Sequence, residues 1–279
     1  MAKHPKPALY AVLGHPVVAS QSPAIHRAAY QAVGWTHCHY VAVDTTPDRL
    51  ADVLAAFGAL GGRGLNVTIP LKAAVLTLPF MHSRDPWVIR AGVANTLVRR
   101  PDGSWEAFNT DGPALHAALA HRALAPRRVL VLGGGGAARA SVLAVQATAE
   151  TIVVATRTPV AWVEALGVPA CRRMAWADAV PWMPEADLIV NATPLGQEGQ
   201  AAWEILPRFH PGQCVVDWAY GSAPTALLQQ ALRDGAAAID GRELLVRQAG
   251  GAWARWFGEA APLSAMAQAV GLSGSEWSS

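Results

Sequence analysis

The stretch Val129–Ala140, which reads VLVLGGGGAARA, decides the fold class of this 279-residue chain. Its four apolar residues predict a buried strand, and the glycines that follow lead directly into a predicted helix. Matched to G-x-G-x-x-A, the stretch assigns the tight turn to Gly133, the close backbone approach to Gly135 and the helix–strand packing to Ala138. This strand–turn–helix pattern predicts a site for the pyrophosphate of a dinucleotide at the start of the helix. The alternative is a flexible glycine-rich loop.

The end of the next predicted strand indicates which dinucleotide binds. NAD enzymes place an Asp or Glu about 20 residues after the glycine turn, where it holds the ribose 2′-hydroxyl. Here the corresponding segment reads Thr156-Arg157-Thr158 and has no carboxylate that would repel a 2′-phosphate. Arg157 can donate two hydrogen bonds to that phosphate, which favours NADP; the alternative is a solvated arginine at a strand end. The expected cofactor contacts of this region are Gly133, Gly134, Gly135, Gly136, Ala137, Thr156, Arg157 and Thr158.

Strand-like and helix-like segments alternate on both sides of the glycine turn. Before it, helices that open at Ser22 and Thr46 separate predicted strands at 8–13, 36–43 and 64–69, and a hairpin joins 93–99 to 105–109. After it, helices at 225–233 and 244–256 accompany predicted strands at 151–156, 187–191, 214–218 and 236–239. Such an order produces mostly parallel sheets with helices on their faces. Because the length is nearer two domains than one, we predict a two-domain α/β protein.

The composition excludes several classes of protein. An apolar share of 52% and a charged share of 15% exclude a disordered chain. With 22 basic and 20 acidic residues and no basic stripe, the chain is not expected to bind nucleic acid. No run of 18 apolar residues predicts a membrane span, and the short apolar run at 8–14 fits a buried strand better than a signal peptide. Three cysteines without a C-x-x-C pair indicate a reducing compartment, so we expect a cytoplasmic protein.

Polar residues cluster in the first half of the chain. The segment Asn66–Lys72, which reads NVTIPLK, ends one predicted strand and starts a short helix. Lys72 lies in the first turn of that helix, where the macrodipole favours the neutral amine and so suits proton transfer; the alternative is a surface lysine. Asn95-Thr96 and Asn109-Thr110-Asp111 lie at strand ends that can approach Lys72 across the sheet. Asp111 and Ser22 fit the role of helix caps equally well, and Ser20 that of a loop residue.

Taken together, these segments resemble the shikimate dehydrogenase family, from Tyr10 to about Gly258. The family motifs occur in order and at the family spacing, and this makes the match specific. They are G-x-P at 14–16, S-x-S-P at 20–23, N-V-T-x-P-x-K at 66–72, N-T at 95–96, N-T-D at 109–111, N-A-T-P-x-G at 191–196, D-x-x-Y at 217–220, T-x-L-L at 225–228 and G-x-x-x-L-x-x-Q at 241–248.

The resemblance implies a dehydrogenase that interconverts 3-dehydroshikimate and shikimate with NADP. It implies two three-layer α/β domains with a cleft between them. The substrate domain covers 1–112 and is completed by a C-terminal helix at 241–270, and the Rossmann-like domain covers 113–240. A small-molecule substrate is the only expected partner, with no nucleic acid, membrane or metal, and the protein is expected to be a monomer or a homodimer.

The resemblance also assigns roles to individual residues. Lys72 and Asp111 form the acid–base pair at the reacting oxygen. Substrate contacts are expected from Ser20 and Ser22 at the carboxylate and from Thr68, Asn95, Tyr220 and Gln248 elsewhere. Further cofactor contacts are expected from Asn191, Thr193 and Gly241.

Some positions depart from the family pattern. Thr156 replaces the usual Asn, and Ala161 stands where NADP-dependent members often carry a second basic residue. These two departures leave dual use of NADP and NAD open. Two further alternatives are a paralogue that acts on quinate or a related hydroxy acid, and a non-catalytic NADP-binding regulatory protein. The presence of both Lys72 and Asp111 speaks against the second.

Arg157 is expected to determine the preference for NADP over NAD. A charge-assisted contact between arginine and phosphate contributes about 1.5–3 kcal/mol, or roughly ten- to 150-fold in affinity. The Arg157→Ala variant should therefore lose that factor in kcat/KM for NADP and change little for NAD. The measurement is kcat/KM for both cofactors on both proteins. Equal weakening of the two cofactors would remove Arg157 from recognition of the 2′-phosphate.

Overall fold

The computed structural model describes residues 8–274 and residue 277, and these form two compact units. One unit contains the residues up to Thr110 and those from Leu245 onward, and the other spans Asp111–Leu244. Each unit is built on one six-stranded sheet, which confirms the predicted α/β class. Among the described residues, every helix is too short or too polar to cross a lipid bilayer.

The first unit has a mixed sheet with the strand order β2-β1-β3-β5-β6-β4. Its strands are β1 (Ala8–Gly14), β2 (Cys38–Asp44), β3 (Gly62–Val67), β4 (Met81–His82), β5 (Thr96–Arg99) and β6 (Trp105–Phe108). Strand β1 pairs in parallel with β2 and β3, whereas β5 is antiparallel to both β3 and β6. The helices before the second unit are α1 (Ser22–Ala32), α2 (Leu50–Ala59), α3 (Leu71–Ala74) and α4 (Pro86–Ala91).

The second unit has a fully parallel sheet with the order β12-β11-β10-β7-β8-β9. Its strands are β7 (Arg128–Leu132), β8 (Thr151–Thr156), β9 (Cys171–Ala175), β10 (Leu188–Asn191), β11 (Cys214–Asp217) and β12 (Ala237–Ile239). Counted from β7, this is the 3-2-1-4-5-6 order of a dinucleotide-binding fold, whose strand order reverses between β7 and β10. Ligands bind at the carboxyl ends of the strands at such a reversal.

The remaining helices are α5 (Asp111–His121), α6 (Gly136–Val145), α7 (Trp162–Ala165), α8 (Ala179–Trp182), α9 (Ala226–Arg233), α10 (Gly241–Phe257) and α11 (Leu263–Gln268). Thr225 caps α9, because its side chain accepts a hydrogen bond from the Leu228 amide. The alternative role of Ser22 as a cap is wrong. Ser22 is already helical, Gln21 occupies the cap position, and neither supplies a side-chain cap.

Strand β9 is absent from the sequence prediction. It lies at the edge of its sheet and reads CRRMA, with both arginines exposed. An edge strand has little buried surface, so the alternation of apolar and polar residues that marks an inner strand is weak here.

An apolar core fills the first unit between its sheet and helix α2. Leu54 is fully buried there, beside Leu50, Phe57 and Leu65. Because deletion of a buried leucine side chain removes contacts and leaves a cavity, Leu54→Ala should lower the free energy of unfolding by about 2–5 kcal/mol. Leu60, at the end of the same helix, is 75% exposed. The matched variant Leu60→Ala should stay within about 0.5 kcal/mol of wild type in denaturant titrations, and equal losses in the two variants would contradict this core assignment.

Candidate functional site

The glycine turn at the end of β7 is shaped by crowding on one side and open space on the other. Gly133 has φ +110° and, if it carried a Cβ, that atom would lie only 2.8 Å from the Ala192 carbonyl oxygen. Its amide donates to the Ala155 carbonyl at 2.9 Å. Gly135, at the N-cap of α6, is exposed, and a Cβ there would meet no atom within 4 Å. The start of α6 therefore has room for a phosphate group, which the helix N-terminus favours.

The turn after β10 is held by the side chain of Asn191, which is buried. Its Nδ2 donates to the Leu195 carbonyl at 3.1 Å and to Asp217 Oδ1 at 2.8 Å. Its Oδ1 accepts hydrogen bonds from the Thr193 amide at 3.1 Å and the Thr193 hydroxyl at 2.6 Å. Both ends of the Asn191 amide thus fix the turn that carries Thr193, beside Gly133.

Asp217 ends β11 and joins three elements, a role that the sequence analysis did not assign. Its carboxylate accepts from Asn191, from the Ala219 amide at 3.0 Å and from the Thr225 hydroxyl at 2.6 Å. Burial raises the pKa of Asp217 to about 6, although these hydrogen bonds favour the charged form. The available signal was its place at the carboxyl end of a strand, where polar residues need partners.

Gly241 permits the start of α10 to pack closely on the turn after β11. A Cβ at Gly241 would lie 2.6 Å from the Ala219 carbonyl oxygen and 2.7 Å from that of Asp217. The same turn leads to Tyr220, which is half-buried. The close approach supplies a structural reason for a glycine at this position, in addition to the predicted cofactor contact.

A cavity of about 570 Å³ opens within the second unit. Arg157 and Thr193, two of the predicted cofactor residues, both line it, together with Leu132 and Leu195. Trp176 and Trp203 form a further part of the wall, with ring centroids 6.4 Å apart and planes inclined by 26°. Apolar walls with a few polar groups are typical of sites for flat ligands such as a nucleotide base. The two tryptophans lie outside the regular strands, so no periodic pattern marked them in the sequence.

In the first unit, hydrogen bonds bring two predicted substrate residues together. Asn95 Nδ2 donates to Gln248 Oε1 at 3.2 Å and to Thr110 Oγ1 at 2.9 Å. The Thr110 amide donates to Asn95 Oδ1 at 2.7 Å. Asn95, Thr110 and Gln248 are all buried, so helix α10 is joined to the β5–β6 hairpin by polar contacts.

Asn66, the first residue of the N-V-T-x-P-x-K motif, extends this network. Its Oδ1 accepts from the Tyr40 hydroxyl at 2.7 Å, and its Nδ2 donates to Thr96 Oγ1 at 3.1 Å and to the Asn95 carbonyl at 3.2 Å. Asn66 is buried in β3. It therefore fixes the strand from which Thr68 and Lys72 follow.

Thr68 and Lys72 lie on a segment tied to its neighbours by the backbone. The Thr68 amide donates to the Leu13 carbonyl at 2.8 Å, and the Lys72 carbonyl accepts from the Ala94 amide at 2.8 Å. A Cβ at Gly14 would collide with the Thr68 methyl group, so β1 and this segment are in close contact. At the start of α1, Ser20 Oγ accepts a hydrogen bond from the Ser22 amide at 3.3 Å.

The remaining predicted residues have clear places in the fold. Asp111 is buried as the first residue of α5, within the second unit. Thr156 ends β8 and is half-buried, whereas Arg157 and Thr158 are exposed just beyond it. Gly134, Gly136 and Ala137 continue the glycine turn into α6 and are half-buried.

The fold and these groups define the class of the protein as a two-unit α/β protein with a dinucleotide-binding sheet. The family described as "Shikimate dehydrogenase substrate binding domain" matches residues 12–97. A shikimate dehydrogenase (NADP(+)) of Anaeromyxobacter sp. (strain K) is 39% identical over 94% of this chain and 95% of its own. Another, of Moorella thermoacetica, is 37% identical over 92% of this chain and 90% of its own.

A solved structure of a shikimate dehydrogenase is also similar to this chain. The crystal structure of shikimate 5-dehydrogenase from Thermus thermophilus in complex with NADP(H) and shikimate has a TM-score of 0.77 and 34% identity. The match covers 94% of this chain and 98% of that one. The chain therefore belongs to the shikimate dehydrogenase family, as its motifs indicated.

The buried Asp217 carboxyl should make stability depend on pH. Its pKa rises from 3.8 to about 6 on folding, so the folded state binds the proton more strongly. The resulting stabilisation is complete below pH 3.8 and is lost as the pH rises through about 6. Its size is on the order of 3 kcal/mol.

The isosteric variant Asp217→Asn has no titratable carboxyl group at this position. From pH 4 to pH 7, the unfolding free energy of wild type should therefore fall relative to that of the variant by up to about 3 kcal/mol. Urea titrations across this range measure the difference. A difference that does not vary with pH would mean that Asp217 has an ordinary pKa in the folded protein.

Proposed function

We propose that this protein is a shikimate dehydrogenase that reversibly reduces 3-dehydroshikimate to shikimate with NADPH, in the biosynthesis of aromatic amino acids. The observation that carries the proposal is the open glycine turn beside a strand end that bears Arg157 and no carboxylate. The names of the curated relatives and the NADP(H) and shikimate in the Thermus structure support it.

The residues of the second unit fit NADP. Gly133 permits the tight turn, and the open position at Gly135 leaves space for the pyrophosphate against α6. Arg157 and Thr158 supply donors for the 2′-phosphate, while the cavity lined by Thr193 and Leu195 accepts the adenine base. Bound NADP supplies the hydride chemistry, so the protein has to supply the proton and the orientation of the substrate.

Lys72 and Asp111 share the transfer of the proton. The Lys72 ammonium gives the proton to the substrate oxygen during reduction and takes it back during oxidation. The Asp111 carboxylate orients that ammonium. The Lys72 carbonyl accepts a hydrogen bond from the Ala94 amide. This bond fixes the backbone of Lys72 while its side chain transfers the proton.

The first unit supplies most of the substrate contacts. The Ser20 and Ser22 hydroxyls bind the carboxylate, and Thr68, Asn95 and Gln248 bind the ring hydroxyls. Because Asn95 and Gln248 already hydrogen-bond each other, their amide groups are pre-oriented and lose little freedom when a hydroxyl binds. Tyr220 is the further substrate contact of this proposal.

In the same proposal, the enzyme is a monomer or a homodimer and is located in the cytoplasm. Its free cysteines, two of them buried, are compatible with a reducing compartment. The functional domains are a substrate domain of residues 1–112 with 241–270, and an NADP domain of residues 113–240.

A spectrophotometric assay that crosses shikimate and quinate with NADP and NAD tests this function. The highest kcat/KM is expected for shikimate with NADP. A higher value for quinate would assign the protein to the quinate-oxidising relatives. Absence of turnover with every pair, in protein that still binds NADP, would favour the non-catalytic regulatory role.

The role of Lys72 predicts the kinetics of its variants. Loss of a general acid–base group should lower kcat of Lys72→Ala by roughly 10²–10⁴-fold, with a much smaller change in KM. Asp111→Asn should act on the same step, so the double variant should be less impaired than the product of the single effects. Equilibrium binding of NADP to the variants is the control and should match wild type. A near-normal kcat for Lys72→Ala would exclude this lysine from proton transfer.

A further inference from the structure

A half-buried arginine stands beside the glycine turn without an assigned role. Arg139 lies one turn into α6, which begins at Gly136. Its guanidinium carbon Cζ is 5.5 Å from the centroid of the Trp162 ring, which is the geometry of a cation–π contact. Trp162 is the first residue of α7 and belongs to the segment that follows Arg157 and Thr158.

Trp162 also contacts the glycine turn directly. Its indole Nε1 donates a hydrogen bond to the Gly134 carbonyl at 2.9 Å. A Cβ at Gly134 would lie 2.8 Å from Val160 Cγ1, so the β8–α7 loop also packs against this glycine. The glycine turn and the β8–α7 loop therefore meet at Gly134, and Arg139 stands over the tryptophan that joins them.

This junction corresponds to the place where the 2′-phosphate of NADP would lie. In a dinucleotide-binding fold the pyrophosphate lies at the glycine turn, and the ribose 2′ group lies at the end of the second strand. That strand is β8, so a bound 2′ group would lie near both the glycine turn and the β8–α7 loop. Arg157 lines the cavity with Leu132 and Thr193, whereas Ala161, the N-cap of α7, carries no charge.

We propose that Arg139, held by Trp162, is the second cation of the 2′-phosphate site and a specificity-determining residue for NADP over NAD. The inference rests on the proposed function, because it presupposes that the dinucleotide binds at this turn. The indole face restrains the long side chain, so Arg139 loses less conformational freedom when it binds a phosphate. Burial lowers the pKa of Arg139, and an adjacent phosphate favours its charged form.

An arginine on α6 can replace the basic residue that is missing at position 161. The family position that often holds a second basic residue is empty of charge in this sequence, yet an arginine distant from it in sequence reaches the same junction. With both Arg139 and Arg157 at the phosphate, discrimination against NAD exceeds the roughly ten- to 150-fold expected from a single arginine.

The first arm of the test separates the inference from the proposed function. Adenosine 2′,5′-bisphosphate and adenosine 5′-monophosphate differ only in the 2′-phosphate, and neither contains nicotinamide. Calorimetric titration of the full-length wild-type protein should show tighter binding of the bisphosphate. Equal binding of the two would contradict NADP as the cofactor and so the proposed function, whatever Arg139 does.

The second arm uses variants of the junction. Arg139→Gln should lower affinity for the bisphosphate roughly ten- to 150-fold and leave affinity for the monophosphate within about twofold. Trp162→Leu, which removes the ring that holds Arg139, should cause a smaller loss of the same kind. Arg233→Gln removes the same charge from an exposed position on α9 and should change neither affinity.

Unchanged selectivity in Arg139→Gln, or equal weakening of both ligands, would overturn the inference while the proposed function stands. Retained binding of the monophosphate shows that the site of Arg139→Gln is folded. Should that variant fail to fold, Arg139→Lys keeps the charge but loses the planar fork of donors. It should then bind the bisphosphate more weakly than wild type and the monophosphate equally well, and wild-type affinity for both ligands would again overturn the inference.

Discussion

The close approach of two strand ends at Gly133 is the constraint on which the nucleotide-binding unit depends. The turn requires φ +110°, and the Ala192 carbonyl lies where a side chain would begin. Only glycine meets both conditions at little cost. Any larger residue would push the end of β10 away from β7. The strand order reverses between these two strands, so Gly133 lies at the kind of position where open α/β sheets bind ligands.

Buried polar side chains hold the strand ends in both units. In the second unit, Asn191 and Asp217 use their polar atoms to fix the turns after β10 and β11. In the first unit, Asn66 and Asn95 do the same for the segments around β3 and β5. Burial of such groups is costly unless they are hydrogen-bonded, so each network favours one arrangement of its turns. The rigidity of these turns positions the candidate site residues that lie on them or follow them.

In the proposed function, recognition of the cofactor is distributed over segments far apart in the sequence. The glycine turn, the end of β8 and the turn after β10 each contribute a part, and the tryptophan at the start of α7 joins the first two. In that proposal the absence of a carboxylate at the end of β8 contributes alongside Arg157, because a carboxylate there would repel a 2′-phosphate. Substitutions in this region therefore need to be judged in the folded context and not position by position.

The sequence by itself determined the α/β class, the glycine turn, the family and most inner strands. These features follow from local rules: apolar runs, helix caps and residues such as Gly133 whose backbone conformation excludes other side chains. The edge strand β9 was missed because its exposed surface carries no apolar alternation, and the cap at Ser22 was misjudged because helix boundaries shift by a residue or two.

Other features were decided only by the tertiary structure. Three such features depend on residues that are distant along the chain. They are the raised pKa of Asp217, the cavity lined by Trp176 and Trp203, and the contact between Arg139 and Trp162. Burial and contact are properties of the packed molecule, so no local pattern encodes them. The sequence identified which residues are available for the chemistry, and packing of the strand ends determined which of them meet.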